Sequence, residues 1–177
     1  MQYLLKITID NTSVWRLISL DGKADRAFAG NLIVKAFDFV DGNCAFTFDG
    51  KTFSGGRSGS ALSTEDLNSF DEFNFKEGDT FNFTVSSNEK LTLTCMVMKA
   101  EERLFCLIPS CLVGSASLPF KEDLTVEAIN KYFDSEDLVS LDLREVTARL
   151  RALGTCRKDI NQSMVEAGAV PFNFKVE

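Results

Sequence analysis

Apolar and polar residues alternate most regularly between Thr80 and Pro109. Thr80-Phe-Asn-Phe-Thr-Val85 puts Phe81, Phe83 and Val85 on one face, and Leu91-Thr-Leu-Thr-Cys-Met-Val97 does the same with Leu91, Leu93, Cys95 and Val97. Leu104-Phe-Cys-Leu-Ile108 is apolar throughout, as a strand buried on both faces would be. The polar breaks Ser86–Lys90 and Lys99–Arg103 read as turns, so the stretch predicts a three-stranded antiparallel meander.

The same period opens the chain. Tyr3–Ile9 and Val14–Leu20 read as strands joined by Asp10-Asn-Thr-Ser13, with Trp15 facing the core or covering an edge and Arg16, on the opposite face, solvated. Ala24 to Phe39 changes to a helical period, its apolar side formed by Ala24, Ala27, Phe28, Leu32, Ile33, Ala36 and Phe37. Lys23, Arg26, Asn31 and Lys35 lie on or beside the wet side. Cys44–Phe48 and Lys51–Phe53 flank Asp49-Gly50, a strong hairpin signal.

Ser54-Gly-Gly-Arg-Ser-Gly-Ser60 is rich in glycine but lacks the Gly-Lys-Ser/Thr ending of a phosphate loop, and reads as a flexible loop. Ser63–Leu67 suits a helical turn, Phe70, Phe73 and Phe75 anchor the next loop, and Pro109–Pro119 reads as a loop between prolines. The last third changes period again. Leu124–Phe133, capped by Thr125, reads as a helix, a short segment starts at Ser135, and Asp142–Leu153 is a helix with Leu143, Val146, Leu150 and Leu153 as its stripe. Phe172–Val176 alternates as a terminal strand would.

These elements predict an α+β fold. It has a mixed, mainly antiparallel sheet with an N-terminal hairpin, one helix packed on the sheet, the meander, and a C-terminal helical segment. Residues 1–119 form the α+β domain and residues 120–177 a helical extension packed on the same body or reaching for another chain.

Composition narrows the chemistry. A hydrophobic fraction of 45% with sixteen Phe supplies a real core and excludes a disordered chain. The net charge of -7 argues against direct nucleic-acid binding, which draws on a basic surface. The bias is general, since residues 1–119 carry 11 basic and 15 acidic side chains and residues 120–177 carry 8 and 11. Its densest stretch runs from Glu65 to Asp79, where Glu65, Asp66, Asp71, Glu72, Glu77 and Asp79 face Lys76 alone. Two Phe interrupt this stretch where a Ca²⁺ loop would place ligands, so it reads as a solvated face or a protein-binding acidic surface. Arg144, Arg149, Arg151, Arg157 and Lys158 form the notable basic cluster.

Histidine is absent, which removes the commonest general base and every His-containing nucleophilic or metal site. Cys44, Cys95, Cys106, Cys111 and Cys156 are odd in number and scattered, as reduced cytosolic thiols are. With no apolar run of membrane-spanning length, the expectation is a cytoplasmic protein without membrane contact, metal or cofactor.

The order of elements resembles the plasmid ORF-three-like family, also described as transposon-passenger, resolvase-like proteins of mobile elements. Leu5-Lys-Ile-Thr8, Trp15-Arg16, the helix ending Phe37-Asp-Phe39 and Cys44-Ala-Phe-Thr-Phe48 match its opening elements in order. The family's Tyr-x-Tyr-Asp-Phe-Gly-Asp-x-Trp-x-His motif falls on Phe81–Leu91, where Phe81, Phe83 and Val85 keep the apolar positions. Its acids fall on Thr84 and Ser87, its Trp on Glu89 and its His on Leu91, so no site is carried over. The resemblance covers roughly residues 3–120 and implies a cytosolic single-domain protein associated with mobile elements.

Three functions follow as expectations. The first is a non-enzymatic protein-binding or regulatory module. The second is an acidic, DNA-mimic inhibitor of a nucleic-acid-processing or defence enzyme, in which the acidic segment meets a basic groove. The third is a carboxylate-based metal enzyme, with candidates at Asp38, Asp41 and Asp49.

Overall fold

The computed structural model describes residues 1–40, 42–57, 67–86, 90–118 and 124–153. Strands β1 (Gln2–Ile9) and β2 (Trp15–Asp21) lead into helix α1 (Arg26–Phe37), and β3 (Asn43–Phe48) with β4 (Lys51–Arg57) follow. A 3-10 turn at Phe70–Phe73 precedes β5 (Thr80–Ser86), β6 (Lys90–Glu101), β7 (Ser110–Gly114), α2 (Val126–Phe133) and α3 (Leu143–Ala152). The fold is α+β. All seven strands form one sheet in the order β4-β3-β5-β6-β1-β2-β7, and neighbours pair antiparallel.

Alternation explains the layering. Tyr3, Leu5, Ile7 and Ile9 of β1, Phe81, Phe83 and Val85 of β5, and Leu91, Leu93, Cys95 and Val97 of β6 all enter one buried cluster with Leu32, Ile33 and Phe37 of α1. Lys6, Asn82, Thr94 and Met96, between them in sequence, occupy the opposite, open face. The helices therefore lie on one side of the sheet.

Helix α1 is two residues shorter than expected at each end. Asp25 caps it by accepting from Phe28 N at 2.7 Å, and Asp38 closes it in the left-handed region, φ 58°. It is buried on nearly every side, because β4 lies under it and α3 packs on its flank. Gly30 permits this: a Cβ there would run into the Gly55 carbonyl oxygen of β4. Ser54–Arg57, expected in a flexible loop, is thus the second half of a strand on which the helix rests.

Arg26 was expected beside solvent and is buried instead. Its guanidinium lies over Phe73 at 4.4 Å and Phe53 at 5.1 Å and donates to Glu72 Oε2 at 3.3 Å. Phe70 sits in the centre of the aromatic cluster beside it, with ring centroids of Tyr3, Phe46, Phe73, Phe75 and Phe81 all within 6.0 Å.

The expected third meander strand, Leu104–Ile108, does not form. Strand β6 continues through Lys99–Glu101, where a turn was expected, and has β5 on one edge and β1 on the other, so no edge is left for it. The stretch instead crosses the end of the open face, where Leu104 N donates to Gln2 Oε1 at 2.7 Å and Ser19 Oγ to the Leu107 carbonyl at 2.9 Å. The pairing edge is free on β2, and residues 110–114, expected in a loop, take it as β7.

In the last third, Thr125 caps α2 and Asp142 caps α3. The segment from Ser135 is irregular rather than a further element, and Val146 and Leu150 join the main core. Asp41, most of the Ser63–Leu67 turn, Cys156 and the Phe172–Val176 strand lie outside the described residues.

Replacing Phe70 by Ala should cost about 3–5 kcal/mol of unfolding free energy, read by urea denaturation. Loss below about 1 kcal/mol would show that the cluster closes around the gap.

Tyr3 Oη donates to Asp71 Oδ1 at 2.9 Å, and burial, then the Asp71 hydrogen bond and charge, push the phenol well above its ordinary value of 10.0. The folded state holds this proton more tightly than the unfolded one. Its stabilisation is complete below pH 10 and falls as pH rises above it. Wild-type stability should therefore drop above pH 10, and Tyr3→Phe should flatten that slope in denaturation curves taken between pH 9 and 11.

Candidate functional site

The chain after β7 is shaped by a buried arginine. Trp15 and Arg16 do take opposite faces, but Arg16 is the one that points to the helix side, 2% exposed, while Trp15 lies half-buried on the open face under Lys6 Nζ. Arg16 Nη1 donates to the Trp15 carbonyl at 2.8 Å and to the Ser115 carbonyl and hydroxyl at 3.2 Å. Its Nη2 donates to the Ala116 carbonyl at 3.1 Å. The guanidinium stacks over Phe37 at 5.2 Å, and its Nε is buried without a hydrogen-bond partner. Burial, reinforced by Arg149, lowers its pKa to about 10, against the pull of Cys111. It remains a cation at neutral pH and holds Ser115 and Ala116 by their carbonyls.

Gly114 lets this clasp close, since a Cβ there would press on Arg16 Cδ, Leu141 Cδ2 and the Trp15 carbonyl. The opposite wall is residues 138–143. Ser117 N donates to the Val139 carbonyl and Tyr132 Oη accepts from Val139 N, both at 2.9 Å. Asp142, capping α3, accepts from Arg144 N and Glu145 N. Thr147 Oγ1 both accepts from Cys111 N and donates to its carbonyl, blocking the edge of β7 at that residue.

Between the walls lies a groove of about 360 Å³, lined by Val113, Gly114, Ser115, Ala116, Leu138, Val139, Ser140, Leu141 and Leu143. It is mostly apolar, and the side-chain polar groups among its described lining residues are two hydroxyls. Leu138 and Val139 stand about half-exposed on its rim. No acid, base or thiol stands among the described residues that line the groove. Cys111, beneath β7, is buried, and burial pushes its thiol up against the pull of Arg16.

The acidic segment is placed differently. Asp71 binds Tyr3, Glu72 binds Arg26 and accepts from Ser69 N, and Asp79 Oδ2 accepts from Lys76 N at 2.7 Å. Glu77 is exposed, while Glu65 and Asp66 lie outside the described residues. Of the metal candidates, Asp38 lies 3.8 Å from Arg149 and Asp49 turns the β3–β4 hairpin with φ 51°. Among the described residues no three His, Cys, Asp or Glu side chains group to hold a metal. Of the basic cluster, Arg149 binds Glu145 and the Lys35 carbonyl, Arg151 binds Ser110 Oγ and the Pro109 carbonyl, Arg144 is exposed, and Arg157 and Lys158 are outside the described residues.

No signal marked the groove in the sequence, because its walls are a presumed loop and an irregular segment whose side chains have no period. The architecture defines an α+β protein with helices on one face of a seven-stranded antiparallel sheet. It is similar to the crystal structure of a protein of unknown function, MM3350, from Methanosarcina mazei Go1, with a TM-score of 0.58 and 17% identity over 83% of this chain and 87% of that one. The likeness establishes the fold. No family model matches the chain, and no curated protein does. No helix among the described residues is long and apolar enough to cross a membrane.

Arg16→Met keeps the stem between Phe37 and Gly114 but removes the donors to three carbonyls. It should cost about 2–4 kcal/mol in urea denaturation. An unchanged midpoint would mean that water replaces the guanidinium.

Proposed function

We propose that the chain is a non-enzymatic protein-binding module, with the groove beside β7 as the seat for an apolar side chain of its partner. The observation that carries this is the lining: exposed Leu138 and Val139 flank an apolar trough without a titratable side chain. A catalytic site concentrates titratable groups of perturbed pKa in its cleft, and this cleft has none. The apolar rim excludes water around whatever enters, as contact surfaces between proteins do. The resemblance to the plasmid ORF-three-like family supports a cytosolic role tied to a mobile element. The acidic-inhibitor alternative has less support, because Asp71, Glu72 and Asp79 are engaged by the fold's own donors.

Leu138→Glu and Val139→Glu change exposed side chains and should leave melting unchanged. In pull-downs from the native host, wild type should retain a near-stoichiometric protein partner and each variant at least tenfold less. Capture that is identical with wild type and variants, or no capture by wild type, would remove the groove from the proposal.

A further inference from the structure

The open face of the sheet is a second surface, which shares Val113 with the lining of the groove. Strand register sets Met96 of β6, Lys6 of β1, Leu17 of β2 and Val113 of β7 in one row across it. Met98 lies farther along β6, where the register with β1 shifts between Leu4 and Leu5. The 104–109 stretch, tied to Ser19 and Gln2, lays Phe105 and Leu107 over the same end, 103% and 71% exposed. Met96, Met98 and Val113 are each about 40% exposed. A folded chain rarely leaves so many large apolar side chains together in water.

We infer that this face is where a second copy of the chain docks, sheet against sheet, in a two-fold dimer. Charge selects the occupant. The chain carries -7, so two copies repel through most of their surface. On this face Lys6, Lys90 and Lys99 stand against Asp10, Asp21 and Glu101, and the crossing loop adds one of each sign in Arg103 and Glu102. Exposed Glu77, whose charge acts on Lys99, joins the acids, and a two-fold interface brings one patch onto itself, which a face of mixed sign allows and a singly charged face forbids. Size agrees. Seven strands about 4.8 Å apart and about 20 Å long make a face of roughly 700 Å² per copy, near the roughly 800 Å² per partner of a stable interface. Docking there would bury Leu17, Met96 and Met98 together with Phe105 and Leu107 of the crossing stretch in a second core.

Light scattering and sedimentation equilibrium of the full chain between about 1 and 100 µM test this. Wild type should weigh twice 19.6 kDa. Met96→Glu with Leu17→Glu should raise the dimer Kd at least a hundredfold with the far-UV circular dichroism unchanged, and Leu138→Glu, in the groove, should leave the dimer intact. Where the double variant fails to fold, Met98→Lys, at an exposed position, serves with the same expected loss. A monomeric wild type throughout the range, or an assembly that withstands the face variants, overturns the inference. Partner capture by a monomer would sink the dimer and leave the groove reading standing, whereas a dimer that captures nothing would do the reverse.

Discussion

The pairing of β1 with β6 is the constraint on which the architecture depends. It runs from Gln2 opposite Glu101 to Ile9 opposite Leu93 and joins the opening hairpin to the β5–β6 hairpin. Closing so long a loop is entropically costly, and the return is a continuous buried row of Leu5, Ile7, Leu93, Cys95 and Val97. Once β1 is inserted, β6 has no free edge. The chain must leave it, cross the sheet and resume pairing at β2, which puts Leu104–Pro109 over the open face and β7 on the far edge. Both candidate surfaces descend from this one insertion, since the groove borders β7 and the exposed Phe105 rides on the crossing loop.

Arg16 makes the second of these consequences rigid. A buried cation without a carboxylate partner is expensive, and here three backbone carbonyls, a hydroxyl and the Phe37 ring replace its hydration. One of those carbonyls is that of Trp15 on β2 itself, and the other two, of Ser115 and Ala116, belong to the turn that leaves β7. Its curvature is therefore set by a side chain from β2, and the groove wall is held from below rather than by its own few contacts.

How much of this was legible depends on where each signal resides. Strands β1, β2, β5 and β6 were readable because period-two alternation is local, α2 because Thr125 announces its start with a side chain that accepts from the first turn, and α3 because Leu143, Val146, Leu150 and Leu153 keep a helical period. Alternation also showed that Trp15 and Arg16 face opposite ways. It could not say which way, because hydropathy puts Trp inside, whereas the Ser115 and Ala116 carbonyls and the Phe37 ring that receive Arg16 lie on the helix side. Arg26 was misjudged for a similar reason: the Phe73 and Phe53 rings that cover it come from distant segments. Leu104–Ile108 failed on topology, as an apolar run pairs only where an edge is free. The groove was invisible because its walls are irregular backbone brought together by tertiary hydrogen bonds.

The charges complete the picture by where they are absent. The acids that stood out in sequence are in part structural: Asp71 holds Tyr3 and Glu72 holds Arg26, so reversing them would disturb the aromatic cluster before it touched a partner. The described lining of the groove carries no charge, and the open face mixes both signs. The two surfaces proposed to receive another chain are thus ones that the net charge of -7 does not dominate. On the proposed reading, shape and apolar burial decide what docks there. Recognition built in this way should depend weakly on ionic strength, unlike capture of a basic groove by an acidic ridge.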